Sequence, residues 1–86
     1  MLRINHENRS NGSIELILTG KITNSSIQYI RAECLSVIAS GKRVVLDLGS
    51  ATYIDPEGIK FLKRLIYMNQ KILNIPLNAN DLFDQQ

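Results

Sequence analysis

The sequence predicts an α/β fold: a small mixed β-sheet in the order β-β-α-β-α-β with helices packed on it, built as one domain over residues 1–86. Three observations carry this expectation. Apolar residues alternate with period two through the first twenty positions. After Thr23 the apolar spacing becomes helical, and it does so again after Ile59. Between the two helical stretches lies Val44-Val45-Leu46-Asp47-Leu48, which does not alternate and so reads as a strand covered on both faces.

Taken in order, Leu2, Ile4 and His6 alternate with Arg3, Asn5 and Glu7, the pattern of a half-buried strand. The cluster Ser10-Asn11-Gly12-Ser13 supplies turn residues, and Ile14, Leu16 and Leu18 then alternate again, so the first two strands form a hairpin that Gly20 ends. From Thr23-Asn24-Ser25 onward, Ile27, Ile30, Cys34, Val37 and Ile38 share one face of a helix capped by Asn24 or a neighbour. Gly41 ends it in a left-handed conformation. The second helix places Ile59, Leu62, Leu65, Ile66 and Asn69 inward and leaves Lys60, Lys63, Arg64 and Tyr67 toward solvent. Ile72-Leu73-Asn74-Ile75 is a last short strand, which Pro76 stops or marks as an edge. The later strands are expected to join through right-handed crossovers.

Composition narrows the function classes. Apolar residues make up 44% and charged residues 21%, which describes a globule and not a disordered chain. The net charge of +2 comes without Lys/Arg blocks interleaved with aromatics, so nucleic-acid binding is not expected. The apolar runs are only a few residues long, too short to cross a bilayer, and the first residues contain no signal-peptide core, so a cytoplasmic protein without membrane insertion is expected. The single cysteine, Cys34, lies in an apolar stripe and reads as a core residue. His6 has no nucleophile near it in any recognisable motif, so no catalytic triad can be assembled. The aromatic residues read as packing.

The stretch Asp55-Pro56-Glu57-Gly58 carries the functional information. Asp55 suits a helix N-cap, Pro56 the first helical position, and Glu57 the positive end of the helix dipole. The wider string Val-Val-Leu-Asp-Leu-Gly-Ser-Ala-Thr-Tyr-Ile-Asp-Pro-Glu-Gly-Ile, Val44 to Ile59, resembles the signature of STAS domains, the family of bacterial anti-sigma factor antagonists. In that family the helix opens with Asp-Ser-Ser-Gly or close variants, and a partner kinase phosphorylates the second serine in regulated members. Aligned on the motif, that serine falls on Glu57, and Pro56 stands in place of the first. The resemblance therefore implies a STAS fold, while the departure implies that the usual switch is missing or relocated. Ser50, Thr52, Thr23, Ser25 and Ser26 are the hydroxyls to which it could have moved, each also suited to turn and cap hydrogen bonds. Family members carry a further helix after the last strand. Here only Leu77 to Gln86 follow, and Asn80-Asp81 could cap about one turn at most, so that helix is expected to be shortened or absent. An uncovered face there favours self-association or a heterologous contact.

The resemblance implies a non-catalytic regulatory module with no cofactor, whose partner is an anti-sigma-factor or kinase-like switch protein. The expected contact residues are Asp55, Pro56, Glu57 and Gly58 in the turn and Lys60, Lys63 and Arg64 on the helix, the basic face extending toward Lys71. As a fixed anion, Glu57 either imitates a phosphorylated state, with less charge and fewer oxygens than a phosphate, or contacts a basic partner residue, or only favours the helix start. A serine-free turn also suits a constitutive subunit, and the family includes the cytoplasmic STAS subunits of lipid-transporting ABC systems. A third reading, a nucleotide-binding or hydrolysing protein, would use Asp47, Asp55 and Glu57 as an acidic cluster for Mg²⁺. No Gly-rich phosphate loop accompanies them.

Overall fold

A computed structural model describes residues 1–68 and 70–75. Its elements are β1 (Arg3–Asn8), β2 (Ser13–Ile22), α1 (Asn24–Ala39), β3 (Arg43–Ile54), α2 (Pro56–Tyr67) and β4 (Lys71–Leu73), the expected order. The sheet runs β1-β2-β3-β4, antiparallel between β1 and β2 and parallel across the other two pairs. Because each parallel crossover steps to the next strand in the same direction, right-handed connections place α1 and α2 on the same face. The expectations for Asn69 and for the C-terminal stretch from Pro76 onward lie outside the described residues.

The core sits between that face and the two helices. Leu16, Leu18, Leu46 and Leu48 project from the central strands and Ile30 and Leu62 from the helices, all of them fully buried. Each such side chain contributes about 1.5–3 kcal/mol of burial. The opposite face of the sheet carries Asn5, Ile17 and Asp47 in one cross-strand row, and Glu7, Glu15 and Val45 in the next. Val45 is buried there, so β3 is covered on both sides where the apolar run predicted it.

The hairpin closes at Gly12, whose positive φ of 84° is the conformation a residue with a Cβ avoids. Asn11 Oδ1 accepts from both the Ser13 backbone N–H and the Ser13 hydroxyl, at 3.2 and 2.6 Å. Helix α1 is capped by Thr23, the residue next to Asn24, with the Thr23 N–H donating to Ser26 Oγ at 3.3 Å. It ends at Gly41 as predicted, the Gly41 N–H donating to the Ile38 carbonyl at 2.9 Å.

Several expectations are corrected. The two central strands are longer than their apolar runs: β2 passes Gly20 to reach Ile22, and β3 passes Leu48 to reach Ile54. Two register shifts, between Ile17 and Thr19 and between Gly20 and Lys21, each place an extra residue on β3. One such insertion reverses the in–out phase of a strand and the second restores it, so Ile54 faces the core beside its partner Ile22. The polar stretch between them follows no alternation, which gave it the look of a loop. Strand β4 covers Lys71–Leu73, not Ile72–Ile75, because Asn74 takes the left-handed conformation (φ 57°). Ile38 and Ile66 were placed inward but are 46% and 40% exposed, at the margins of their helical stripes. Phe61, left off the inner stripe, is buried. Tyr67 is 88% exposed, which agrees with its place on the solvent side of the helix and not with a packing role.

Candidate functional site

Parallel pairing of β2 with β3, ending on the Ile22–Ile54 match, brings both helix starts to the same end of the sheet, side by side. That is the end at which parallel α/β sheets present their ligands. One side chain joins the two starts. Asp55 Oδ1 accepts the Gly58 N–H of α2 at 2.7 Å, and Asp55 Oδ2 accepts the Asn24 N–H of α1 at 2.9 Å. The Asp55 backbone N–H in turn donates to the Ile22 carbonyl at 3.0 Å. The predicted N-cap is therefore correct, and it does more than cap: it fixes α1 relative to α2. Gly58 is buried in this corner, where an added Cβ would lie 3.1 Å from both Ile22 Cγ2 and the Ile22 carbonyl oxygen. Backbone approaches backbone here, which accounts for a glycine inside a helix.

Pro56 and Glu57 stand on the exposed side of the corner. The Glu57 side chain is 53% exposed, and its contact is a 3.4 Å ion pair with Lys60 one turn on. Beside it a groove of about 520 Å³ opens between the N-terminal halves of the helices, walled by Ser25, Gln28 and Arg31 of α1 and by Glu57, Lys60 and Arg64 of α2. Arg31 lies over the Phe61 ring, 5.4 Å from its centroid, an arrangement that holds the guanidinium at the groove while attracting it to the ring face.

Of the predicted contact residues, the structure brings together Asp55, Pro56, Glu57 and Gly58 at the corner and Lys60 and Arg64 in the groove wall. It does not bring in Lys63, which is half-buried and lines no part of the groove. On the helix Lys63 and Arg64 flank Lys60 on one face, three and four residues on, and of the two only Arg64 turns into the groove. Lys71 stands apart too, near Lys42 and Arg43 at the far end of the helix pair. The cation that completes the groove is Arg31, contributed by α1. No local signal marks it, because its partner Phe61 is thirty positions away.

The acidic cluster does not form. Asp47 faces the opposite side of the sheet, where its Oδ1 accepts from the Asn74 amide at 2.9 Å and from the Gly49 N–H at 2.8 Å. These donors hold its carboxyl below the ordinary value. Glu15, sharing a hydrogen bond with Asp47 and shielded from water, is raised, the 2.8 Å contact from Arg9 opposing that rise. Among the described residues, no three His, Cys, Asp or Glu side chains are grouped to hold a metal ion. Cys34 is buried, which pushes its thiol up to about 11 and keeps it from acting as a nucleophile at neutral pH. His6 pairs with Glu33 of α1 at 2.7 Å. Among the alternative hydroxyls, Thr23, Ser25 and Ser26 contact one another at the start of α1, and Ser50 and Thr52 are exposed on the extended part of β3. No helix among the described residues is long and apolar enough to cross a membrane.

The STAS domain family model matches residues 6–72. No curated protein matches the sequence. Among solved structures, the chain is similar to the anti-sigma factor antagonist SpoIIAA in its unphosphorylated form, with a TM-score of 0.68 and 15% identity, covering 98% of this chain and 84% of that one. It is also similar to the phosphorylated form of the Bacillus cell fate determinant SpoIIAA, with a TM-score of 0.65 and 14% identity over 95% and 81% of the two chains. A Shewanella loihica protein with a SpoIIAA-like fold matches at a TM-score of 0.56 and 14% identity, over 83% and 61%. At these identities the likeness is one of fold.

Proposed function

The chain belongs to the STAS domain family, and from that premise we propose that it is a non-catalytic regulatory module that binds a protein partner at the corner where its two helices begin. The observation that carries this reading is Glu57. It stands exposed at the position where the family pattern has its modifiable serine, its only ion pair among the described residues is loose and on the surface, and it opens onto a groove walled by Arg31, Lys60 and Arg64. A carboxylate presented in this way is available to a basic group on another protein. It is also permanently charged, so the contact it makes does not wait for a kinase.

The partner in this reading is an anti-sigma-like kinase or a related switch protein. The second reading, a constitutive subunit of a lipid-transporting ABC system, is favoured by the lack of any hydroxyl at positions 56 and 57. A photo-reactive residue at Lys60, with a control at Asn5 on the opposite face, would capture the partner in the native host. Capture at Lys60 alone, reduced at least tenfold by Glu57→Lys, is the expected result. Mass spectrometry of the captured chain then separates a sigma-regulatory kinase from a transporter ATPase. Equal capture at both positions, or capture indifferent to Glu57→Lys, would remove the corner from the model.

A further inference from the structure

The groove at the helix starts is one end of a longer channel. A second cavity, apolar and about 200 Å³, follows it along the seam between α1 and α2 and shares Arg31, Phe61 and Arg64 with it. Its rim is formed by Leu35, Ile38 and Met68, which are 58%, 46% and 60% exposed, an unusual outlay of apolar side chains on so small a surface. A third cavity shares Ile38, Val44, Met68 and Gln70 with the second and ends among Lys42, Arg43 and Lys71. The channel is thus basic at one end, apolar in the middle and basic again at the other. Its walls hold Arg31, Lys42, Arg43, Lys60, Arg64 and Lys71, six of the chain's ten basic residues, but, among the described residues, only Glu57 of six acidic ones. With a net charge of just +2, the chain has gathered its positive charge along this seam.

We propose that the α1–α2 seam is a docking channel for an amphipathic helix of a partner protein, one whose apolar face is flanked at both ends by carboxylates. Helix-in-groove recognition needs an apolar trough for residues spaced at i, i+3, i+4 and i+7, and the Leu35–Ile38–Met68 rim over Phe61 and Leu65 supplies it. The charge pattern selects the occupant, since an acidic end meets Arg31, Lys60 and Arg64 while a basic one is repelled. Length agrees as well: α1, which forms one wall, has 16 residues and spans about 24 Å, so a partner helix of about four turns reaches from one basic end to the other. The adaptable thioether of Met68 suits a rim that must fit another chain.

This inference rests on the reading of the chain as a protein-binding module and names the kind of segment bound. Its test uses synthetic peptides and leaves Glu57 unchanged, so it can fail while capture at the corner succeeds, and the reverse. Three labelled 16-residue peptides share one apolar helical face and carry Glu, Gln or Lys at both ends. In fluorescence anisotropy with the full chain, the Glu peptide is expected to bind at least tenfold more tightly than the Gln peptide, and the Lys peptide not at all. Amide shifts should map to Leu35, Ile38, Arg64 and Met68. Combined Arg31→Glu and Arg64→Glu should reverse the preference at that end, and combined Leu35→Asp and Met68→Asp should abolish binding of every peptide. All four positions are exposed, so circular dichroism should show both variants folded. Equal binding of the three peptides, or shifts on the opposite face of the sheet, would overturn the proposal. So would concentration-dependent sedimentation of the chain alone that Leu35→Asp with Met68→Asp removes, which would assign the seam to a second copy.

Discussion

Asp55 and Asp47 are two answers to the same structural problem, on opposite sides of one sheet. Each carboxylate accepts a backbone N–H a few residues along the chain, from Gly58 and from Gly49, and each also reaches a group far away in sequence. For Asp55 the distant donor is the backbone N–H of Asn24 at the start of α1. For Asp47 it is the side-chain amide of Asn74 at the end of β4. A tie made to backbone survives a change of the donor residue, whereas a tie made to a side chain depends on that residue's identity. The Glu15 carboxyl lies beside Asp47 and is raised by it while Asp47 is lowered, so the surroundings of Asp47 titrate. The corner proposed to meet a partner is therefore held by the less alterable of the two devices, as a surface that must be presented in one geometry requires.

The largest expected effect is at Asp55. Asp55→Ala removes the α2 cap together with the hydrogen bond to α1, and should cost about 2–3 kcal/mol in urea unfolding. Asp55→Ser restores a short cap to Gly58 but cannot reach Asn24, so it should recover roughly half of that loss. If Ala and Ser cost the same, the link between the two helices contributes nothing and the comparison fails on its stronger side.

At the other aspartate, Asn74→Ala should cost about 1 kcal/mol, the worth of one side-chain hydrogen bond to a charged acceptor near the surface. Asn74→Gly loses the same bond but relaxes the left-handed backbone (φ 57°), and should cost less than Ala in the same titration. An Ala variant as stable as the parent would mean that β4 is held by its pairing with β3 alone.

How much of this was legible in the chain follows the range of each interaction. Asp55, Pro56 and Glu57 announce a helix start because capping, proline geometry and dipole charge act within one turn, and all three signals are correct. The hairpin at Gly12 and the stop at Gly41 are equally local. What the sequence does not show is lateral. Nothing near Arg31 marks it as the third cation of the groove, nor does anything near Asp55 reveal that its second oxygen serves α1. Helical spacing puts Lys60, Lys63 and Arg64 on one face, but which of them wall the groove depends on where α1 packs, and Lys63 does not. The extension of β3 to Ile54 was hidden for another reason: two bulges interrupt the period that identifies a strand, so only the pairing with β2 exposes it.

A smaller effect, in slope and not in size, is expected from Glu15. Its folded-state carboxyl is raised by the hydrogen bond to Asp47 and by burial, so the folded chain holds the proton more tightly than the unfolded one. The stabilisation is fully present below the ordinary value of 4.5 and is lost as pH rises through the raised value. Asp47 is lowered and acts in the opposite sense, keeping its contribution above 3.8 and losing it as pH falls further. The two windows do not overlap, and urea midpoints measured upward from pH 4.5 report Glu15. Glu15→Gln, which keeps a hydrogen bond to Asp47 without a titrating proton, should flatten that part of the profile. An unchanged slope in the variant would assign the pH dependence elsewhere.

The smallest effect is the sharpest test of the difference between the two ties. Asn24 and Asn74 are both asparagines, both exposed, and both donors to an aspartate at 2.9 Å. Only Asn74 donates from its side chain. Asn24→Ala should leave the Asp55 bond intact, because the donor is the backbone N–H, and it places a better helix former in the first turn. The two terms leave stability within about 0.5 kcal/mol of the parent, below the change at Asn74. The readout is the amide proton of residue 24 itself. If it stays as protected from exchange in the alanine variant as in the parent, the backbone carries the tie. If protection falls, the Asn24 side chain holds the start of α1 in place, and the corner is as dependent on side-chain identity as the far end of the sheet.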